Sequence, residues 1–342
     1  MTRTILITGA AGFIGAFLSR RLLETTDDVV VGLDNLNSYY DVSLKHERLR
    51  MISDAANGPD RFHFIEGDIA HSDTVAAAFE EHKPSIVVNL AAQAGVRYSI
   101  DNPQAYVESN LIGFFNVLEA CRQHPVEHLV YASSSSVYGS NSKVPFSTSD
   151  PTDGPVSLYA ATKKSNELMA HSYSSLFSIP STGLRFFTVY GPMGRPDMAY
   201  FKFTEKIVRR EPIEIYNMGD MRRDFTYIDD IVTGITAVID GPPTQTEGVV
   251  PHRVYNIGNS QPESLLHFVE TLERVLIEEG VVDSPTEHLL LPMQPGDVYQ
   301  TYADVSDLER NFDFKPSTHM EEGLRQFAAW FAKRRSDAER AS

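Results

Sequence analysis

Two stretches hold residue types whose spacing could do chemistry. In "LYAATKKSNE", Tyr159 and Lys163 stand four positions apart, so on a helix they share one face. A phenol with a pKa near ~10 is a poor base at neutral pH, and an ammonium beside it favours the phenolate. The same spacing also describes any amphipathic helix with a surface lysine. In "YASSSSVYG", four serines run from a strand-like segment into a Tyr-Gly turn, with Ser134 lying 25 residues before Tyr159. On their own these serines fit a slack surface loop as well as the wall of an active site. The elements around both stretches decide between those readings.

Short β-branched runs bounded by Gly, Asp and Pro read as buried strands over 3–9, 28–34, 61–68, 85–92, 128–134 and 181–187. Helix-length segments lie between them, over 12–26, 71–82, 104–124 and 158–178. Such alternation predicts right-handed βαβ units and an α/β fold with a Rossmann-type, doubly wound parallel sheet. After residue 188 turn residues cluster. Helices are expected there over 200–210, 228–240, 262–279 and 319–334, with strands near 213–216 and 253–258. The expected division is a cofactor-binding domain over 1–187, which includes the helix of Tyr159 and Lys163. Residues 188–342 then form a smaller α/β substrate region, some of whose segments return to the first sheet.

Between the first strand and the first helix, "TGAAGFIG" places Gly9, Gly12 and Gly15, with Phe13 and Ile14 among them. Glycines there let the backbone turn tightly and approach a pyrophosphate at the helix N-terminus. Asp34 ends the second strand 19 residues after Gly15, and Asn35 follows it. A carboxylate at that point accepts hydrogen bonds from ribose hydroxyls and repels a 2′-phosphate, which selects NAD over NADP. Asp68 and Ile69 follow the third strand, where an adenine would lie, although a helix cap explains Asp68 adequately. Ala91, Ala92 and Gln93 follow the fourth, and the small alanines let the chain pass beneath a dinucleotide. Phe186, near the end of the sixth, completes the predicted cofactor wall. Behind this fingerprint Tyr159 and Lys163 read as catalytic groups, because an oxidised nicotinamide adds a second positive charge that favours the phenolate.

Composition narrows the partners. The 342 residues carry 46 acids against 30 Lys plus Arg, a formal charge of -16, which weighs against nucleic acid or an anionic membrane. Cys121 is the only cysteine, so no intrachain disulfide can form. The 11 histidines show no paired ligand spacing, and no metal site is expected. The apolar stretch "TILITGAAGFIGAFL" is too short and glycine-rich to span a bilayer. The expectation is a cytoplasmic protein.

The fingerprint glycines, Asp34, the serine run, the Tyr/Lys pair, "RFFTVYGP" and "RRDFTYIDD" occur in an order that resembles the extended branch of the short-chain dehydrogenase/reductase superfamily. That branch holds nucleotide-sugar epimerases, dehydratases and decarboxylases. Within it, "SYYDVSLKHERL", "QAGVRYS", "TVYGPMGRPDMAYFKF" and "MQPGDV" are similar to the UDP-glucuronate 4-epimerase subfamily. The resemblance implies NAD that stays bound and is regenerated each turnover, and UDP-glucuronate and UDP-galacturonate as the UDP-sugar pair. It also implies a homodimer built on the helices near 104–124 and 158–178.

By the same resemblance Ser134 joins Tyr159 and Lys163 in the catalytic set, its hydroxyl able to donate to or accept from the sugar O4. Ser135 and Ser136 then face the rest of the hexose. Related dehydratases carry an Asp-Glu pair in this stretch and related decarboxylases an acid. Here only hydroxyls stand, which implies return of the hydride after oxidation at C4. A ketone at C4 beside a C5 carboxylate is a β-keto acid, so the carboxylate must be held. Arg195 is the candidate clamp, with Thr188 and Ser136 as neutral donors, although a surface or pyrophosphate-contacting arginine fits the sequence too. Arg97 is a second anion-binding candidate. Arg223 falls where the family has a diphosphate-contacting arginine, and Gln294 and Asp297 fall near the nucleotide. Galactose-type epimerases commonly have an arginine at the position of Gln294. Phe201 and Phe203 could stack on uracil, or pack in the core. The alternatives are an epimerase of neutral or N-acetylated UDP-hexoses, a UDP-glucuronate decarboxylase, and an NAD-binding sensor or scaffold.

Overall fold

The structure, a computed structural model, describes residues 2–244, 246–293 and 299–341. Thirteen strands are described: β1 (Thr4–Thr8), β2 (Val29–Asp34), β3 (Phe62–Glu66), β4 (Ile86–Asn89), β5 (His128–Ser134), β6 (Ser181–Phe186), β7 (Thr188–Tyr190), β8 (Ile213–Tyr216), β9 (Arg222–Tyr227), β10 (His252–Ile257), β11 (Pro262–Ser264), β12 (His288–Leu291) and β13 (Gln300–Thr301). Seven of them form one parallel sheet in the order β10-β6-β5-β4-β1-β2-β3.

The apolar run of β1 explains why that sheet is covered on both faces. Successive side chains point to opposite sides, so Ile5 and Ile7 enter one core while Leu6 enters the other. The first core takes Phe17, Leu22, Ile231 and Val238 from the helices Phe13–Thr25 and Ile228–Ile239. The second takes Phe79, Phe114 and Leu118. The strand order reverses between β1 and β4, where Thr8 Oγ1 donates to Asn89 Oδ1 at 2.7 Å. In such sheets the crevice beyond the strand ends at this switch point is where ligands sit.

All six N-terminal strands and the expected helices over 12–26, 71–82 and 158–178 are present within a few residues of their predicted bounds. β10 returns to the large sheet beside β6 in register with residues 181–186. The remaining strands form a group of β7, β9, β11 and β13 and a separate pair, β8 with β12. No helix among the described residues is long and apolar enough to cross a membrane.

Besides the short strands β7, β11, β12 and β13 and the helix Ser306–Phe312, which have no counterpart among the expected elements, three elements depart from expectation. The helix Val42–Ala55 has no counterpart in the hydrophobic pattern, because its buried face holds Lys45 and Arg48 beside Leu44 and Ile52. β9 begins on two arginines, which masks it as a strand. The segment expected as one helix over 104–124 is Pro103–Tyr106, a π-helical Val107–Gly113 and then Phe114–Gln123.

Candidate active site

The crevice at the switch point is a cavity of about 260 Å³. Of the residues singled out from sequence, Gly9, Gly12, Phe13, Ile14, Gly15, Asp34, Asn35, Asp68, Ile69, Ala91, Ala92, Gln93, Ser134, Tyr159, Lys163, Phe186 and Arg195 all line it.

One end is built from the glycine turn. Gly9 has φ +71, and a Cβ there would lie 2.8 Å from the Ala91 nitrogen; at Gly15 it would lie 2.2 Å from the Gly9 oxygen. Side chains are thus excluded where the backbone must approach a ligand closely. The helix Phe13–Thr25 starts at Gly12 with no side-chain cap, which leaves first-turn N–H groups for an anion. At the end of β2 the Asp34 carboxylate accepts from Ala11 N (3.1 Å), Leu36 N (2.9 Å) and Lys45 Nζ (3.3 Å). Asp68 accepts from Asn35 Nδ2 at 2.8 Å and from Ala70 N at 2.8 Å. This cradle fits a dinucleotide.

The other end carries the titratable pair. Ser157 caps the helix Leu158–Phe177 by accepting from Ala160 N at 3.1 Å, so Tyr159 and Lys163 lie in its first two turns. Lys163 is 3% exposed and donates to the Ala132 carbonyl of β5 at 2.9 Å. Burial lowers its pKa from 10.5 to about 8. Burial also raises the Tyr159 phenol; a hydrogen bond from Ser134 and the Arg195 cation oppose that rise, while Asp197 adds to it. Ser134 closes β5 in a tight turn, its Oγ accepting from Ser136 N (3.2 Å) and Ser136 Oγ (2.9 Å). Behind the run, Ser133 Oγ donates to Glu167 at 2.7 Å, and Glu167 takes both arms of the Arg185 fork at 2.8 Å in a buried ion pair. The serine run is therefore a rigid wall tied to the Tyr159 helix.

The π-helical turn contributes to that wall. Its Asn110 accepts from Gln93 N (2.8 Å), donates to Gln93 O (3.1 Å) and to Thr162 Oγ1 (3.0 Å), and its carbonyl accepts from Asn166 Nδ2 (2.6 Å). One residue thus joins the loop after β4 to the helix of Tyr159 and Lys163.

Arg195 enters the cavity near Tyr159, but its fork is already engaged. Nε donates to Asp197 Oδ1 at 3.0 Å and Nη2 to Asp197 Oδ2 at 2.6 Å, so the bidentate face expected for a ligand carboxylate is taken by the chain itself. Burial works to raise the Asp197 carboxyl, yet its bonds to Arg195 and Tyr39 hold it below the usual value.

Several predicted contacts lie elsewhere. Phe201 is not free to stack on a base: it is buried against Phe327, Trp330 and Phe331. Phe203 packs at the edge of the same core. Arg97 is exposed at the start of the short helix Tyr98–Asp101 and does not line the cavity. Thr188 on β7, Ser135 and Ser136 are partly buried outside its lining, as is Arg223, which donates to the carbonyls of Arg222 and Tyr299. Gln294 and Asp297 lie outside the described residues.

Other side chains were not anticipated. Lys45, Tyr39 and Tyr40 line the cavity. Arg48, fully buried, donates to Ala11 O (3.0 Å), Met193 O (2.6 Å) and Gly194 O (3.3 Å), and so ties the glycine turn to the loop bearing Arg195. The available signal was the Asp41 cap ahead of "VSLKHERL", since Asp41 accepts from Ser43 N at 2.9 Å.

Fold and site together define a dinucleotide-binding α/β enzyme with a Ser/Tyr/Lys group facing the cofactor cradle. Residues 5–258 match the NAD dependent epimerase/dehydratase family. The chain is 50% identical over 338 residues to Protein CapI of Staphylococcus aureus, covering 96% of this chain and 98% of that protein. It is 46% identical over 338 residues to a probable UDP-glucuronate 4-epimerase of Rhizobium meliloti, covering 95% and 96%. Its structure is similar to a Bacillus cereus UDP-glucuronic acid 4-epimerase solved with UDP-glucuronic acid and NAD, with a TM-score of 0.84, 33% identity and coverage of 97% and 99%. The chain belongs to the NAD-dependent epimerase/dehydratase family, and its cofactor is NAD.

Proposed function

We propose that this enzyme interconverts UDP-glucuronate and UDP-galacturonate by epimerisation at C4. The observation that carries this reading is one cavity that holds Tyr159, Lys163, Ser134 and Arg195, beside a strand end that offers hydroxyls and no acid. NAD, when bound, supplies reversible oxidation and reduction at C4. Tyr159 takes the O4 proton, directly or through Ser134, and later gives one back. The hydrogen bond from Ser134 and the Arg195 cation favour the phenolate against its burial, and Lys163 stands one helical turn further on. Asp34 and the turn at Gly9, Gly12 and Gly15 bind and orient the dinucleotide. Arg195 meets the uronate carboxylate, which keeps the β-keto acid stage from losing carbon dioxide. Residues 188–342, apart from the returning strand β10 and the helix Ile228–Ile239 that packs on the large sheet, mainly serve the UDP-sugar.

A homodimer is part of this reading. Ile112 and Phe115 on one helical stretch and Leu168, Leu176 and Phe177 on the next stand 44–69% exposed, an apolar face that suits a four-helix contact with a second copy. One observation favours a second substrate reading, a neutral or N-acetylated UDP-hexose: the Arg195 fork is balanced by Asp197 before any ligand arrives. Incubation with UDP-glucuronate, UDP-glucose and UDP-N-acetylglucosamine, with products resolved by NMR, separates the two. Turnover of a neutral sugar without turnover of UDP-glucuronate overturns the proposal.

A further inference from the structure

Arg195 is fixed from two directions. Upstream, Arg48 holds the carbonyls of Met193 and Gly194. Downstream, Asp197 holds Nε and Nη2 at 3.0 and 2.6 Å, and Tyr39 donates its hydroxyl to Asp197 Oδ2 at 3.3 Å. Tyr39 is itself pinned, its ring 4.8 Å from that of Tyr98 and its oxygen packed on Gly95, whose φ is +101. Three loops, after β2, β4 and β7, thus converge on one carboxylate. Among the described residues Nη1 of Arg195 has no hydrogen-bond partner, and the side chain lines the cavity with Tyr159.

We propose that Asp197 is a positioning residue that holds Arg195 side-on, leaves the Nη1 edge for the substrate carboxylate, and thereby sets the balance between epimerised and decarboxylated product. This rests on UDP-glucuronate being the substrate. Asp197 touches neither sugar nor cofactor in this scheme; it acts through the guanidinium. The competing step is defined by its electrons. At the 4-ketone stage the C5–C6 bond breaks, carbon dioxide leaves, the electron pair forms the C4–C5 enolate, and C5 takes up the proton that Tyr159 removed from O4. That cleavage requires the C5–C6 bond to align with the carbonyl π system. A guanidinium held by two bonds on its far side resists the movement that would allow it. A free one swings with the carboxylate. Neutralising Asp197 therefore loosens the clamp without removing its charge.

The test compares Asp197→Asn and Tyr39→Phe with the wild type, each as full-length protein loaded with NAD. UDP-glucuronate labelled at C6 is the substrate, and NMR reads epimer against released carbon dioxide. Loss of the charge-assisted pair predicts about a tenfold rise in the ratio of decarboxylated to epimerised product for Asp197→Asn. Loss of a single neutral donor predicts about a two- to threefold rise for Tyr39→Phe. A ratio is independent of how much enzyme is folded, so a general loss of stability does not move it. Where Asp197→Asn does not yield soluble protein, Tyr39→Phe decides. A ratio unchanged from wild type in the soluble variants overturns the proposal while leaving the epimerase reading intact. A wild type that does not turn over UDP-glucuronate overturns both.

Discussion

Replacing Lys163 by Met should make the NAD-free protein more stable at pH 7 while removing its activity. The ammonium is 3% exposed, and burial lowers its pKa from 10.5 to about 8. That gap corresponds to ~3 kcal/mol of unfavourable burial of the charged form. Methionine keeps an unbranched stem of similar reach but leaves the Ala132 carbonyl without its donor, which costs ~1 kcal/mol. The expected net gain is ~2 kcal/mol at pH 7. The folded value lies below the unfolded one, so between pH 8 and 10.5 the unfolded chain binds the extra proton and wild-type stability climbs with pH. The advantage of the variant must therefore shrink across that window. Urea unfolding of NAD-stripped wild type and Lys163→Met, at pH 7 and again at pH 10, reads both quantities. A variant less stable than wild type at pH 7, or a margin as wide at pH 10 as at pH 7, refutes the reasoning.

Other substitutions test the remaining parts. Tyr159→Phe should lower turnover by about 10²–10⁴-fold, the range for a general base, with bound NAD per chain unchanged by absorbance. Gly15→Ala puts a Cβ 2.2 Å from the Gly9 oxygen and should destabilise the protein by ~1–3 kcal/mol and reduce NAD occupancy, seen by thermal unfolding and by NAD released on denaturation. Arg48→Met leaves buried carbonyls at Ala11, Met193 and Gly194 without donors, so a loss of ~3 kcal/mol in chemical unfolding is expected. If the proposed homodimer forms through the apolar face, Leu168→Glu should lower the sedimentation coefficient from that of the wild type toward that of a monomer, without altering the far-UV circular dichroism.

Much of the fold was legible because parallel strands buried on both faces write themselves as continuous apolar runs. "TILIT" and "IVVN" could be nothing else once helices flanked them. The glycine turn was legible for a related reason, since its constraint is steric and only one residue type meets it. What stayed hidden was held by polar groups. Lys45 and Arg48 sit on the buried face of their helix, so the pattern that reports burial through apolar residues is blank there. The Arg195–Asp197 pair is separated by one residue, and a two-residue spacing says nothing about whether two side chains meet. Arg195 lines the cavity, and the pairing of its fork with Asp197 carries no mark in the sequence. For Phe201 the sequence left stacking and core packing open, and the apolar side of helix Ala199–Val208 sends it into the core.

The π turn at Val107–Gly113 makes chain length itself a functional variable. Such a turn holds one residue more than the α-helix around it. Removing one residue inside the turn would let the segment close as a regular α-helix whose flanks keep their phase, while the residues within the turn, Asn110 among them, are re-spaced. Asn110 would then leave the position from which it meets both Gln93 and Thr162, and no side-chain exchange restores that position. A deletion in this turn would therefore detach the loop after β4 from the catalytic helix. A substitution scan across the same residues could leave that register unnoticed.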